Sequence, residues 1–161
     1  MEIRDATTED WPAIWPFLRE IVAARETYAY DPDMTEVQAR QLWMVGPPGR
    51  TVVALDDGVV VGTANMYANR PGPGSHVASA SFMVDPRRAG RGTGRALGEA
   101  MLAWARERGF RAVQFNAVVE TNARAVRLWR SLGFEVIGTV PEAFAHPTEG
   151  YVGLHVMYRR L

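Results

Sequence analysis

Cysteine and lysine are both missing from this chain. Without cysteine there is no disulfide and no thiol nucleophile, so any acyl transfer is direct or uses a hydroxyl as carrier. All 18 basic residues are arginine, which removes Schiff-base chemistry and a lysine general base. There is no excess charge of either sign. The 18 acidic residues leave a net charge of zero, and nothing global draws the chain to nucleic acid or to a membrane surface. No apolar run is long enough to cross a bilayer, and Met1-Glu2-Ile3-Arg4-Asp5 does not open a signal peptide, so the expected location is cytoplasmic. Internal repeats, low-complexity tracts and linkers are absent too. What remains is 161 residues, 47% hydrophobic and 22% charged, which predicts one domain over residues 1–161 with a full core.

The most informative stretch runs from Ala78 to Gly109. An apolar segment ends at Asp85-Pro86, a turn signal. Arg87-Arg88-Ala89-Gly90-Arg91-Gly92-Thr93-Gly94-Arg95 follows. A helix then carries Leu97, Met101 and Trp104 on one face and stops at Gly109. Three alternate glycines therefore sit where a helix begins, beside its unpaired N–H groups and the positive end of its dipole. Glycine there lets an anion approach the backbone, and Arg87, Arg88, Arg91 and Arg95 add positive charge. The stretch reads as a pyrophosphate cradle. A Walker loop needs Lys and then Ser or Thr after its last glycine, and Arg95-Ala96 stands here instead. A dinucleotide fingerprint needs a third glycine spaced differently and an acid at the end of the next strand, which here runs to about Asn116 without one. A plain tight turn packed on a sheet is the remaining alternative.

Taken in order, Met1 to Ala6 predicts a strand. Thr7 to Asp10 then caps a helix with Pro12 in its first turn and Pro16 inside it. Glu26 to Asp33 is a loop with two tyrosines and several acids, fit either to receive a polar or cationic substrate or to pack its rings on the core. Thr35 caps a second helix. Thr51–Leu55 and Val59–Tyr67 flank Asp56-Asp57-Gly58 as a hairpin. After a Pro/Gly-rich turn, Asn69 to His76, come the central strand, its helix, a strand from Arg111 to Val118, and a short helix capped by Thr121-Asn122. Phe134–Val140 reads as a strand, Pro141–Gly150 as a loop containing His146, and Tyr151–Tyr158 as a last strand. The predicted order is β-α-α-β-β-β-α-β-α-β-β. This is an α/β (α+β) fold with one mixed, mostly antiparallel sheet of about seven strands, a central parallel βαβ unit and helices on both faces.

The glycine loop and its helix, with Asn122-x-x-Ala125 and Leu128-Trp129-x-x-Leu132-Gly133-Phe134 downstream, resemble the GCN5-related N-acetyltransferase (GNAT) superfamily. The Glu26-Thr27-Tyr28 loop, the Asn69–His76 turn and Pro141-Glu142-Ala143-Phe144 resemble its phosphinothricin and amino-acid N-acetyltransferase branch. The resemblance implies acetyl-CoA as co-substrate and no metal. Gly90, Arg91, Gly92, Thr93, Gly94 and Arg95 would hold the pyrophosphate. Phe82, Met83 and Val84 would pair with the pantetheine arm like an added strand, in a gap between two parallel strands that part near Ser81–Val84 and Gln114–Ala117. Asn116 and Asn122 would also face the cofactor, though Asn122 equally suits a helix cap. Three positions depart from the family pattern. Ala89 stands where Arg or Gln is usual. Trp129 replaces a tyrosine thought to protonate the leaving thiolate, which indole cannot do. Ser79 and Ser81 lie where many relatives carry a glutamate base.

The implied reaction is attack of a neutral amine on a thioester, and an alkyl amine with a pKa of about 10 must first lose a proton. The candidate catalytic bases are His146, Glu26 and His76; the resemblance favours the first two, and each also suits an ordinary surface residue. A backbone N–H at Val84 or nearby would hold the oxyanion. Glu26, Tyr28 and Tyr30 point to a small polar amine, an amino acid or an analogue, as acceptor. The alternatives are acetylation of a protein N-terminus and an acyl-CoA-binding regulatory module without turnover. No nucleic-acid or membrane partner is expected, and a homodimer is a candidate assembly.

Overall fold

A computed structural model describes residues 1–161. The elements are β1 (Glu2–Asp5), α1 (Trp11–Ala24), α2 (Glu36–Trp43), β2 (Arg50–Asp56), β3 (Val59–Ala68), β4 (Val77–Val84), α3 (Thr93–Glu107), β5 (Ala112–Val119), α4 (Ala123–Ser131), β6 (Glu135–His146) and β7 (Gly150–Arg160). They form one seven-stranded sheet in the order β1-β2-β3-β4-β5-β7-β6. Only β4 and β5 run parallel, with α3 as their crossover.

Local chemistry sets most boundaries. Asp57 and Gly58 take φ of 50° and 76°, the two left-handed positions a tight hairpin turn requires, and so fix the β2–β3 register. Thr35 and Gln38 cap α2 reciprocally: Thr35 Oγ1 accepts from the Gln38 amide (3.3 Å) and Gln38 Oε1 accepts from the Thr35 amide (2.9 Å). Asp10 accepts from both Arg4 guanidinium nitrogens at 2.8 Å and from the Thr7 amide at 2.7 Å, which ties β1 to the start of α1. Pro16 lies within α1, and the helix continues through it.

Period-2 alternation sorts the strands between two cores. Val52, Ala64, Ala78 and Ala80 face α3 and α4, where Leu97, Met101, Trp129 and Phe134 fill the layer. Val53, Leu55 and Met83 face α1 and α2, against Ile14, Phe17, Leu18 and Trp43. Each fully buried Val, Leu, Ile, Phe or Met among them contributes about 1.5–3 kcal/mol by leaving water.

One expected boundary is corrected. Pro141–Gly150 is not a loop, because β6 continues through Pro141 to His146. Pro141 is tolerated there because β6 is the outer strand and its pairing with β7 is interrupted by a bulge between Val140 and Phe144, with Glu142 at φ 53°.

Candidate active site

β4 and β5 pair at Val77–Ala112 and Ala78–Val113 and then separate. β5 goes on pairing with β7, with an irregularity between Phe115 and Val118. On the α4 side the gap is floored by aromatic rings: Phe82 lies 5.7 Å from Phe115 and 4.6 Å from Trp129, centroid to centroid. Because backbone groups alternate along a strand, every second residue of β4 points its N–H and C=O into the gap. The Met83 carbonyl points the other way. It lies 3.1 Å from where a Cβ of Gly62 on β3 would stand, and the Asp85 amide donates to Val61 at 2.9 Å. The groups facing the gap therefore belong to Ala80, Phe82 and Val84, and Met83 contributes its side chain to the core instead.

One of these positions is already engaged. The Tyr28 hydroxyl donates to the Phe82 carbonyl at 2.5 Å and accepts from the Phe82 amide at 2.9 Å. Its ring packs on Tyr30 (5.2 Å) and edge-on against Trp43 (6.4 Å), whose indole N–H donates to Thr63 Oγ1 at 3.0 Å. Burial pushes the Tyr28 phenol well above its ordinary pKa, and nearby Tyr30 adds to this. Tyr30 is also raised by burial, while a hydrogen bond with Ser81 works against the shift. These rings, with Tyr67, Ser79 and Ser81, make the α1–α2 side of the gap polar and uncharged. Beyond them Asn116 donates to Asn69 Oδ1 at 2.6 Å and accepts from Gln114 at 2.9 Å. Sequence reasoning named Asn116 from this group; Tyr67, Asn69 and Gln114 were missed, although period 2 puts Gln114 on the same face as Asn116.

The gap leads to the glycine loop. Gly90 and Gly92 take φ of 88° and 85°, and no protein atom lies within 4 Å of a Cβ built on Gly92. The amides of Gly90, Arg91 and Gly92 donate to no backbone carbonyl. Ala96 is the first amide of the α3 ladder, bonded to Gly92 at 3.0 Å, so Thr93, Gly94 and Arg95 also keep free N–H groups. Thr93 Oγ1 is buried without a partner. An open strand edge that ends on a bare run of amides fits an extended amide-bearing arm terminating in a diphosphate.

The surrounding arginines divide. Arg91 pairs with Asp56 at 3.5 Å, and Arg95 reaches Ser131 at 2.7 Å and Glu99 at 3.5 Å. Arg87 is held by Asp85 at 2.9 Å. Burial raises the Asp85 carboxyl, but the Arg87 hydrogen bonds outweigh it and leave the group below its ordinary pKa. Arg87 and Arg88 line a recess of about 470 Å³ with Ala13, Val59, Val60 and Asp85, and none of the gap residues borders it. Arg124, which sequence reasoning missed, brings its guanidinium to 3.9 Å from the Cβ position of Gly90. Gly94 has a packing duty as well: a Cβ there would meet Leu128 at 3.1 Å, and one on Gly98 would meet Leu132 at 2.7 Å and Trp129 at 3.0 Å.

The three candidate bases do not converge. His76 precedes β4 at its paired end, about 20 Å along the strand from Phe82 at the rise of an extended chain. His146 ends β6 at the hairpin tip. Its Nδ1 accepts from the amides of Thr148 (3.3 Å) and Glu149 (3.2 Å), so that nitrogen is spent on the turn. Glu26 is exposed and close in the chain to Tyr28, the residue that touches the gap. Asn122 caps α4, its Oδ1 accepting from Ala125 at 3.2 Å. No cluster of His, Asp or Glu side chains is arranged to hold a metal ion, and no helix is long and apolar enough to cross a membrane.

Residues 5–134 match the acetyltransferase (GNAT) family. The chain is 35% identical over 98 residues to the N-acetyltransferase aca1 of Schizosaccharomyces pombe, which covers 60% of this chain and 47% of that protein. The chain thus aligns with only about half of that longer relative. It is 30% identical over 165 residues to the L-amino acid N-acetyltransferase AaaT of Escherichia coli, covering 98% of this chain and 96% of the relative. Among solved structures, a GCN5-related N-acetyltransferase from Kribbella flavida superposes with a TM-score of 0.97 at 69% identity, over 99% of this chain and 97% of that one. A phosphinothricin acetyltransferase from Sinorhizobium meliloti in complex with AcCoA gives 0.88 at 25% identity, over 99% and 88%.

Proposed function

This chain belongs to the acetyltransferase (GNAT) family, and from that premise we propose that it transfers the acetyl group of acetyl-CoA directly to the amine of a small polar acceptor, an amino acid or an analogue. The observation that carries the reading is the opening of the sheet beyond Ala78–Val113, which ends on the unpaired amides from Gly90 to Arg95. The AcCoA held by the Sinorhizobium meliloti protein and the amino-acid activity named for the Escherichia coli relative support it. So does the acceptor side of the gap, where hydroxyls and amides of Tyr30, Tyr67, Ser81, Asn69 and Asn116 suit a polar ligand.

Acetyl-CoA supplies an activated carbonyl carbon when bound. The loop amides, with Arg124, hold its diphosphate; the gap-facing groups of Phe82 and Val84 align its arm; Asn116 and Asn122 flank it. Glu26 takes a proton from the acceptor ammonium, and the neutral amine then forms the C–N bond as the C–S bond breaks. Water takes the second proton that the nitrogen sheds and returns one to the leaving thiolate, since Trp129 is an indole sealed among Phe82, Phe115 and Phe134.

A second reading, an acyl-CoA-binding regulatory module, is favoured by that same Trp129 and by serines at positions 79 and 81. Thiol release from acetyl-CoA over a panel of amino acids, amines and N-terminal peptides separates the two. Turnover with a small amine supports the proposal, and turnover only with peptides moves the acceptor to a protein N-terminus. Thermal stabilisation by CoA with no turnover on any acceptor refutes catalysis in favour of the regulatory module.

A further inference from the structure

A single hydroxyl stands where an added strand would bind. In a sheet, an incoming strand satisfies an edge residue with one C=O and one N–H. At Phe82 the Tyr28 hydroxyl does both, accepting from the amide (2.9 Å) and donating to the carbonyl (2.5 Å). No other side chain hydrogen-bonds to the gap-facing groups of β4. Tyr30 packs beside the ring and Trp43 meets it edge-on, so a hydroxyl that yields its place stays next to the gap. Burial raises the phenol above its ordinary pKa, so at neutral pH it is neutral and a donor.

We propose that Tyr28 is a catalytic residue: its O–H rests on Phe82 until a thioester arrives and then donates to the thioester oxygen, which has taken the Phe82 amide in its place. The inference rests on the acetyl-transfer reading and deepens it. The thioester oxygen can reach the Phe82 amide only by displacing the Tyr28 oxygen. The displaced oxygen then lies about one hydrogen-bond length away, roughly 3 Å, with its proton free to turn toward the newcomer. A thioester carbonyl accepts weakly in the ground state and strongly once it carries negative charge. Donation from Tyr28 therefore strengthens as the amine adds, which lowers the barrier more than it tightens binding. The chain has no lysine to place at this position, and Trp129 is turned into the aromatic floor.

The test is Tyr28→Phe, which keeps the ring and deletes the hydroxyl. Wild type and variant are compared by CoA titration calorimetry, by kcat and KM for acetyl-CoA with an acceptor from the panel, and by infrared difference spectroscopy of bound acetyl-CoA labelled with 13C at the carbonyl. Loss of one oxyanion donor predicts a fall in kcat of roughly 100-fold, with KM for acetyl-CoA unchanged or lower. The bound carbonyl should vibrate at higher frequency in the variant, a shift that a merely structural tyrosine would not cause. A kcat within about threefold of wild type overturns the proposal; so does a loss of rate with an unmoved carbonyl band. Should Tyr28→Phe not fold, 3-fluorotyrosine at position 28 supplies a stronger donor: the band should drop, and an unmoved band again overturns it. If wild-type protein neither binds CoA nor releases thiol, the acetyl-transfer reading itself fails, a result distinct from failure in the variant alone.

Discussion

Gly92→Ala separates the backbone role of the glycine loop from its electrostatic one. Gly92 is the residue before the first turn of α3, at φ 85° and ψ 0°. A Cβ there meets no protein atom within 4 Å, so the substitution creates no internal clash. Its cost is conformational, about 1–2 kcal/mol for an L-residue held in the left-handed region. For a chain of this length that lowers the melting temperature by about 2–8 °C. Alanine can relieve the strain only by turning the peptide, which reorients the free amides of Gly92 and Thr93. Each amide bond to a charged phosphate oxygen is worth about 1.5–3 kcal/mol, so loss of one weakens CoA by roughly 10- to 150-fold. Titration calorimetry with CoA and with pantetheine reads the effect. Pantetheine has the arm without the diphosphate, and its affinity should not change. If both ligands weaken equally, or if CoA binds Gly92→Ala as it binds wild type, the loop amides do not hold a diphosphate.

At Gly98→Ala a Cβ would meet Leu132 at 2.7 Å and Trp129 at 3.0 Å, an overpacking cost of about 1–3 kcal/mol that outweighs the roughly 0.5–1 kcal/mol alanine gains in a helix interior; urea unfolding should show net destabilisation, and a stabilised variant would refute the tight α3–α4 contact. The Arg4 hydrogen bonds, with help from Thr7 and against the cost of burial, hold the Asp10 carboxyl at about 2, below its ordinary 3.8. A depressed carboxyl stabilises above the unfolded pKa, so about 1–2 kcal/mol should be present at neutral pH and lost as pH falls from about 4 toward 2. The stability gap between wild type and Asp10→Asn should shrink over that window, and a constant gap refutes the assignment. Glu26→Gln should lower kcat/KM by roughly 100-fold or more, whereas His146→Ala should leave the pH–rate profile in place, since Nδ1 of His146 serves its own turn. A profile flattened by His146→Ala would reverse that ranking.

Features written at short range were legible in the chain. The turn at Asp57-Gly58, the cap at Thr35 and the apolar face of α3 each repeat a local rule, and each predicted element appears in order. The parting of β4 and β5 came from the resemblance rather than from any period, because nothing in Ser79–Val84 or Gln114–Val119 says where pairing stops. Glycine was legible only as the absence of a side chain. Gly92 is bare toward open space, Gly94 and Gly98 are bare toward α4, and the letter is the same for both duties. Pro141 looked like a strand end because the rule against it holds inside a sheet; at an outer strand with a bulge the missing donor has no partner to lose.

The reacting groups were the hardest to place, for one physical reason. A side chain's chemistry is intrinsic, but its address depends on contacts made far along the chain. Histidine is the residue type chosen for a base near neutral pH, yet the fold sets His76 at the paired end of β4 and His146 at a hairpin tip. Tyr28 looked like a ring in a polar loop until it met Phe82, 54 residues away. Arg124 came to the loop by way of a helix whose cap, Asn122, was visible but whose direction was not. In each case the deciding quantity is a register between strands or a crossing between helices, and no window of neighbouring residues contains it. The same logic explains why the loop was found first: a run of free amides is made by consecutive residues, so its chemistry and its address are encoded together.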